Sequence, residues 1–294
     1  MKELAYYDGQ IGTPEEVMIP FNDRVHFFGD GVYEATLGGN HRIFLLQDHL
    51  DRFYSSAKAL EIRIPMEKEE LGRLLTELLE KVEGRTHFVY WQVTRGVDVR
   101  NHTYGDQMTG KLWASIRPFA MQDPEKEIGL ITREDDRFYH CNIKTLNLLP
   151  SVMASQAAKR AGVGECVFHR GEVVTECSHS NISILKDKVF LSHPNDNLIL
   201  RGIAKTRMIA CCYRLGIQVI ERPFTLAELM DADEILVTSS SNFYRYATMV
   251  DGVAAGGKDP ETRRLLQKAV IGEFLEYTGL EGEMAVSGLG QTAV

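Results

Sequence analysis

Apolar residues recur along the chain with the two periods that separate strands from helices. Alternating or continuous apolar runs predict strands in LAYYDGQI, EATLGGNHRIFLL, THFVYWQVTRG and KLWASIRPF, and the second is expected to fold back as a hairpin at Gly38-Gly39-Asn40. Between these runs, apolar residues three and four positions apart predict helices from Leu46 to Glu61 and from Leu71 to Val82, the latter stopped by Gly84. The first part of the chain therefore mixes strands and helices.

A second set of elements follows the polar segment AMQDPEKE. Strands are predicted in IGLITR, CNIKTLNLL, ECVFHR, EVVTEC, NISILKDKVFL, IQVIERP and DEILVTSSS, and helices over Ser151 to Ala161, about Gly202 to Leu215, LAELMDA and Pro260 to Tyr277. The polar segment predicts a boundary near residue 120. We therefore expect an α+β fold with a small N-terminal domain over 1–119 and a large C-terminal domain over 120–280. The Gly-rich residues 281–294 are expected to form a flexible tail.

Composition narrows the class of protein. The chain has 294 residues, of which 44% are hydrophobic and 25% charged, as in soluble globular proteins. A net charge of -8 argues against nucleic acid as the main partner. No apolar run approaches the roughly 20 residues that span a bilayer, and MKELAYYDGQ lacks a signal-peptide core. The five cysteines form no C-x-x-C pair or zinc pattern, so we expect a reduced, cytoplasmic, metal-free protein without membrane contact.

One lysine lies in an apolar stretch. In CNIKTLNLLPSV, strand alternation places Lys144 on the face opposite Ile143 and Thr145. Burying an unpaired ammonium is costly, so such a lysine reaches water, finds a partner or is used in chemistry. An edge-strand lysine in contact with water and a lysine nucleophile both fit this pattern.

Other polar residues lie at the ends of predicted elements. They are Arg201-Gly202 before a helix, Ser239 to Ser241 after a buried strand, Glu176 at a strand end, and Arg52 on a helix. Each alone has an ordinary explanation, respectively a strand-to-helix connection, a polar turn, a solvated glutamate and a surface arginine. A helix start also offers N–H groups and a positive dipole to a phosphate. Together with Lys144, these residues supply the amine, the carboxylate and the phosphate donors that a pyridoxal phosphate site needs.

The chain resembles the fold-type IV pyridoxal-phosphate enzymes, and most closely their bacterial D-amino-acid aminotransferase branch. The resemblance runs from Asp8 to about Tyr277 and is carried by FGDGVYE, HLDRFYSSA, QVTRGVDVRNH, CNIKTLNLL, HRGEVVTECSHSN, ILRGI and DEILVTSSS. It implies a two-domain α+β fold with the active site between the domains and the cofactor lysine in the C-terminal domain. It also implies a homodimer.

The resemblance implies a role for each matching residue. Lys144 resembles the lysine that holds pyridoxal 5'-phosphate as an internal aldimine, and Glu176 the carboxylate beside the pyridine nitrogen. The expected phosphate ligands are Arg52, Gly202, Ile203, Ala204, Ser239 and Ser240. Tyr33, Arg100 and His102 resemble the groups that bind the substrate's α-carboxylate, and in the family the arginine and histidine come from the other subunit. Their spacing of two lets an extended segment point both side chains the same way.

The implied reaction is transamination of D-amino acids with 2-oxo acids, in two half-reactions that use one pocket. Two relatives of the same fold, aminodeoxychorismate lyase and branched-chain L-amino-acid aminotransferase, share the cofactor and stay open as alternatives. A non-enzymatic α+β binding protein with a structural Lys144 is a more remote alternative. We expect small amino acids and 2-oxo acids as the ligands.

Three features depart from the family pattern. Ala204 stands where relatives commonly carry a threonine that donates to the phosphate, so we expect weaker holding rather than loss. Cys177 and His179 interrupt a serine-rich run after Glu176. Residues 242–249, NFYRYATM, replace a smaller and acidic stretch, which puts the side-chain specificity in doubt.

Overall fold

A computed structural model describes residues 1–280, and the predicted tail 281–294 lies outside the described residues. The chain divides into two compact units. Within the described residues, the first comprises Met1–Met121, Ile143–Asn147 and residues 274–280, and the second comprises Gln122–Asn142 and Leu148–Glu273. The chain thus first leaves one unit for the other next to the boundary expected near residue 120. The segment with Lys144 belongs to the first unit, whereas we expected this lysine in the C-terminal domain.

The first unit is an antiparallel sheet with helices packed on it. Its strands are β1 (Leu4–Tyr7), β2 (Gln10–Gly12), β3 (Gly31–Gly39), β4 (Arg42–Ile43), β5 (Thr86–Thr94) and β6 (Lys111–Pro118), in the order β2-β1-β6-β5-β3-β4. Its helices are α1 (Val25–Phe28), α2 (Leu46–Ala59) and α3 (Lys68–Leu79). Apolar residues of α2 and α3 pack with Trp91 and Val93 of β5. The predicted hairpin is formed, and it turns at Asn40 and His41, both with positive φ.

The segment with Lys144 is not the regular strand that we predicted. Only Thr145 forms an isolated bridge, to Val32 of β3. Two further backbone bonds attach the segment to β3: the Tyr33 N–H donates to the Lys144 carbonyl at 3.0 Å, and the Leu146 N–H donates to the Gly31 carbonyl at 3.0 Å. These bonds explain why the segment groups with the first unit. Pairing stops soon afterwards because the next helix, which carries a proline in its first turn, begins at Leu149.

The second unit is built on a ten-stranded mixed sheet. Its strands are β7 (Ile128–Glu134), β8 (Glu165–Arg170), β9 (Val173–Cys177), β10 (Asn181–Lys186), β11 (Val189–Ser192), β12 (Gln218–Glu221), β13 (Phe224–Thr225), β14 (Glu234–Thr238), β15 (Arg245–Val250) and β16 (Val253–Ala254). The order is β12-β11-β10-β14-β15-β7-β8-β9-β13, with β16 beside β15. The stretch NISILKDKVFL is a hairpin rather than one strand, since Asp187 and Lys188 adopt positive φ. Strand β15 was not predicted.

Four helices complete the described chain. They are α4 (Leu149–Arg160), α5 (Ile203–Arg214), α6 (Leu226–Asp231) and α7 (Pro260–Thr278). None of the helices within residues 1–280 combines the length and the apolar character that crossing a membrane requires. All five cysteines are buried free thiols. The mixture of helices and sheets confirms the predicted α+β class.

Candidate active site

Lys144 is held by its backbone, and its side chain lies against an aromatic ring. Besides the bond from Tyr33 to its carbonyl, its own N–H donates to Ser56 Oγ of α2 at 3.3 Å. Its Nζ lies 4.2 Å from the centroid of the Tyr33 ring, a cation–π distance. Tyr33 in turn stacks on Tyr90, with 5.5 Å between centroids. Two elements, β3 and α2, therefore fix the position of this lysine.

Arg52 belongs to a buried ionic cluster in the first unit. Its Nε and Nη2 donate to the two carboxylate oxygens of Glu34 at 2.6 and 2.8 Å, and His49 Nδ1 lies 2.6 Å from Glu34 Oε2. Burial alone would raise the pKa of Glu34, but the attraction of Arg52 and His49 outweighs it and lowers this pKa to about 2. Burial lowers the pKa of His49. His49, Arg52 and Ser56 lie on one face of α2 by helical spacing.

Arg100 and His102 lie in an irregular, exposed segment after β5. Both approach the ring of Phe28: the Arg100 guanidinium carbon lies 5.3 Å from its centroid, and the His102 ring centroid lies 5.3 Å away. The structure thus brings the two proposed carboxylate ligands to one aromatic ring.

In the second unit, Glu176 lies near the end of β9 with both carboxylate oxygens bonded. Oε1 accepts from Arg137 Nη1 at 2.5 Å, and Oε2 accepts from Asn181 Nδ2 at 2.9 Å and from the Leu200 N–H at 3.1 Å. Three other parts of the chain therefore fix the orientation of this buried carboxylate. Glu176 is therefore not a solvated surface glutamate, because only 6% of the residue is exposed.

Arg137 is itself held in place by Asp135. Its Nε and Nη2 donate to the two carboxylate oxygens of Asp135 at 2.9 and 3.0 Å, and Arg170 and Thr175 also donate to that carboxylate. Burial lowers the pKa of Arg137, but the hydrogen bond to Asp135 and the charge of Glu176 raise it further than burial lowers it. A permanently positive group therefore faces Glu176 from within the second unit.

The start of α5 offers donors of the kind that a phosphate needs. Its N-cap, Gly202, is extended and makes no side-chain capping bond. The first N–H groups of a helix have no partner within the helix, and they point outward along a positive dipole. A Cβ at Gly202 would lie 1.8 Å from Asn181 Oδ1, so only glycine fits there. Ile203 and Ala204, the next two residues, are buried.

Ser239 and Ser240 follow β14, whose last residue pairs with Asn181. The Cα register of β10 and β14 matches Asn181 with Thr238. Ser239 Oγ accepts from the Asn242 N–H at 3.3 Å, which stabilises the turn. Asn181 also donates to Glu176 and packs against Gly202. It therefore links the three predicted parts of the cofactor site in this unit, which are Glu176, the start of α5 and the serine turn after β14. The sequence alone predicts no role for Asn181, Arg137 or Glu34, since nothing in their local sequence signals one.

The departures from the family pattern occupy defined places. Cys177 is buried, and burial raises the pKa of its thiol well above the usual value. His179 is half-exposed, and its Nδ1 lies 2.8 Å from Glu165 Oε2. In the stretch 242–249, Tyr244 and Tyr246 are buried, and the Arg263 guanidinium lies 3.7 Å from the ring centroid of Tyr246. The aromatic residues of this stretch therefore pack within the second unit.

These groups fit pyridoxal 5'-phosphate, which carries a phosphate, an aldehyde and a basic ring nitrogen. The uncapped helix start and its glycine match the phosphate, the oriented carboxylate of Glu176 matches a protonated ring nitrogen, and Lys144 supplies a primary amine. Among the residues from 1 to 280, no cluster of three or more His, Cys, Asp or Glu side chains could hold a metal ion.

Comparisons with known proteins also indicate a pyridoxal-phosphate enzyme, and specifically an aminotransferase. Residues 31–246 match the amino-transferase class IV family. The D-alanine aminotransferase of Listeria monocytogenes serotype 4b is 42% identical over 260 residues, which cover 86% of this chain and 90% of that protein. That of Bacillus licheniformis is 35% identical over 276 residues, which cover 91% and 97%. In fold, the branched-chain amino acid aminotransferase of Escherichia coli matches with a TM-score of 0.85 at 20% identity, covering 96% and 97%.

Proposed function

The chain belongs to the amino-transferase class IV family, a family of pyridoxal-phosphate enzymes, and we propose that it transfers amino groups between D-amino acids and 2-oxo acids. The observation that carries the proposal is Lys144, a lysine that backbone bonds hold against the Tyr33 ring. The preference for D-amino acids is supported by the identity to D-alanine aminotransferases and by the pair Arg100 and His102.

Lys144 acts as anchor and as proton carrier. When bound, pyridoxal phosphate supplies a carbon that accepts the amino group and a ring that withdraws electrons from the substrate's α-carbon. Lys144 Nζ would hold the cofactor as its anchoring amine, and the same amine would take the proton from the substrate's α-carbon. The bonds to Tyr33 and Ser56 keep the lysine backbone in place while its side chain moves.

Glu176 would keep a proton on the ring nitrogen of the bound cofactor. An anionic carboxylate beside that nitrogen favours its protonated form, which strengthens the ring's electron withdrawal. Arg137 and Asn181 keep the carboxylate oriented, so its rotation does not have to be frozen during the reaction.

The residues that would hold the phosphate are Arg52 of the first unit and, in the second unit, the start of α5 from Gly202 to Ala204 and the turn at Ser239 and Ser240. A guanidinium and helix N–H groups form charge-assisted bonds with phosphate oxygens. Arg52 is positioned by Glu34, and Ala204 contributes its backbone N–H alone.

Arg100 and His102 bind the substrate carboxylate together with Tyr33, and we propose that they serve the partner subunit of a homodimer. The segment with these residues carries large exposed apolar side chains, which typically mark an interaction surface. Val99 is 70% exposed. Phe21, which is 84% exposed, lies on a loop attached to this segment, because the Asp98 N–H donates to the Asn22 carbonyl and Asp23 pairs with Val97. A second copy of the chain would cover this surface.

A paired assay tests the substrate class. D- and L-alanine, D- and L-glutamate and L-leucine are each offered with pyruvate or 2-oxoglutarate, and we expect turnover of the D-amino acids. Activity confined to L-leucine would instead indicate a branched-chain aminotransferase. Release of pyruvate from aminodeoxychorismate without a second oxo acid would indicate the lyase.

Arg100→Ala tests the carboxylate site. We expect a KM for D-alanine at least about 30-fold higher, since leaving a carboxylate without its charged partner costs about 2 kcal/mol or more. Arg117→Ala is a matched control, because Arg117 is also exposed and its guanidinium lies 5.2 Å from the Phe88 centroid. Equal, unchanged KM values in both variants would reject the role of Arg100.

A further inference from the structure

Arg24 is a buried arginine of the first unit whose guanidinium is bonded to the backbone of the segment that carries Arg100 and His102. Only 2% of the residue is exposed, and it directly precedes α1. Its Nη1 donates to the carbonyls of Asn101 at 2.7 Å and Thr103 at 3.3 Å, and its Nη2 donates to the His102 carbonyl at 3.5 Å. One side chain therefore binds three successive carbonyls of an irregular segment.

A second arginine holds the far end of the same segment. The Arg95 guanidinium carbon lies 3.7 Å from the ring centroid of Tyr104, and the Tyr104 hydroxyl donates to Glu61 at 2.6 Å. Asp30 joins the two arginines, because its carboxylate accepts from Arg24 Nε at 2.9 Å and from Arg95 Nε at 2.9 Å. We call Arg24, Asp30 and Arg95 the arginine clasp.

We propose that the arginine clasp is a positioning device for carboxylate recognition, in which Arg24 sets the direction of the Arg100 and His102 side chains. The inference rests on the proposed function, because it assigns to those two residues the binding of the substrate's α-carboxylate. The segment makes no regular strand or helix that could fix its backbone. The forked guanidinium takes over this task, since its donors are rigid and planar.

The position of the carboxylate site depends on this backbone. Arg100 and His102 flank Asn101, whose carbonyl makes the shortest bond to Arg24. Both side chains also meet Phe28, whose ring lies 4.9 Å from the Arg24 guanidinium carbon. Both substrates carry a carboxylate, so the clasp should affect the D-amino acid and the 2-oxo acid alike, whereas it should leave the cofactor untouched.

Arg24→Lys tests the inference in the holoenzyme. A lysine at position 24 keeps the positive charge and is also a residue after which trypsin cleaves. Its single ammonium, however, lacks the planar, forked donors that bind three carbonyls at once. We expect KM for D-alanine and for 2-oxoglutarate to rise about tenfold with kcat within about twofold, because the carboxylate ligands lose their alignment. We also expect several-fold faster tryptic cleavage after Arg100, measured by mass spectrometry, and unchanged cofactor retention. Asp30→Asn, which removes the carboxylate that orients Arg24, should likewise raise the two KM values and speed cleavage after Arg100.

Arg263→Lys is the matched control. Arg263 is equally buried, pairs with Glu234 and contacts an aromatic ring, but it lies in the second unit. It should lower stability without changing KM or cleavage after Arg100. If Arg24→Lys folds with wild-type KM values and wild-type cleavage, the inference is wrong. If the wild-type enzyme converts no D-amino acid, the proposed function fails instead, and the cleavage rate still decides whether Arg24 orders the segment.

Discussion

Replacing Glu34 by Gln is expected to destabilise the first unit strongly. The substitution keeps the size of the side chain and removes the charge between Arg52 and His49, which contact the carboxylate at 2.6 to 2.8 Å. Glu34 is fully buried, so water cannot replace the lost interaction. Arg52, whose side chain is 12% exposed, then loses its anionic partner in a largely buried place, a change that typically costs about 3–5 kcal/mol.

The pKa of Glu34 gives an independent magnitude. It falls from the ordinary 4.5 to about 2 in the folded state, because Arg52 and His49 outweigh the effect of burial. A difference of about 2.5 pKa units corresponds to about 3 kcal/mol of stability. Because the folded pKa is the lower one, this contribution is complete above about pH 4.5 and is lost as the pH falls toward about 2. The loss in Glu34→Gln should therefore be about 1 kcal/mol smaller at pH 4 than at pH 7.

Urea unfolding followed by tryptophan fluorescence measures this effect. Both tryptophans of the chain, Trp91 and Trp113, lie in the first unit, and the Trp91 ring lies 6.2 Å from that of His49. Asp51→Asn serves as the control, since Asp51 of the same unit forms an exposed ion pair with Lys68, a kind of pair typically worth about 0–1 kcal/mol. A loss for Glu34→Gln no larger than that of the control, or one independent of pH, would refute the reasoning.

Three further predictions concern the cofactor and the assembly. Glu176→Gln should lower kcat markedly while the cofactor stays bound, because phosphate contacts retain it; undiminished turnover would contradict the role of this charge. Ser240→Ala should weaken cofactor retention, measured by dialysis and absorbance, by about 1.5–3 kcal/mol, with little change in kcat at saturating cofactor. Phe21→Asp, at an 84% exposed position, should shift the protein from dimer to monomer in analytical ultracentrifugation, whereas Tyr213→Asp, also exposed, should not.

Much of the fold was predictable because it rests on local patterns. The alternation in β5 and the helical spacing in α2 are properties of short windows, and both elements are formed near the predicted places. Strand β15 was missed because its residues mix aromatic, polar and charged types without alternation, and its pairing with β7 and β14 decides its state. The family assignment, which rests on several motifs in order, is confirmed by the comparisons.

The candidate site shows where sequence reasoning stops. Lys144 was found because an ammonium is out of place among apolar neighbours, but its attachment to β3 depends on partners far away in the chain. The same holds for Glu34 and Asn181, since each meets its partners only through the fold. A rule of spacing detects side chains on one element, such as His49 and Arg52 on α2, and it cannot detect a partner on another element.

The measurement that tests the central claim most directly is the chemical mapping of the cofactor. Borohydride reduction of the purified protein fixes pyridoxal phosphate to the amine that holds it, and peptide mass spectrometry locates the modified residue. We predict a single modified lysine in the peptide CNIKTLNLL, at Lys144, and no such modification in Lys144→Ala. Modification at another lysine, or none in a protein that transaminates D-amino acids, would contradict the account.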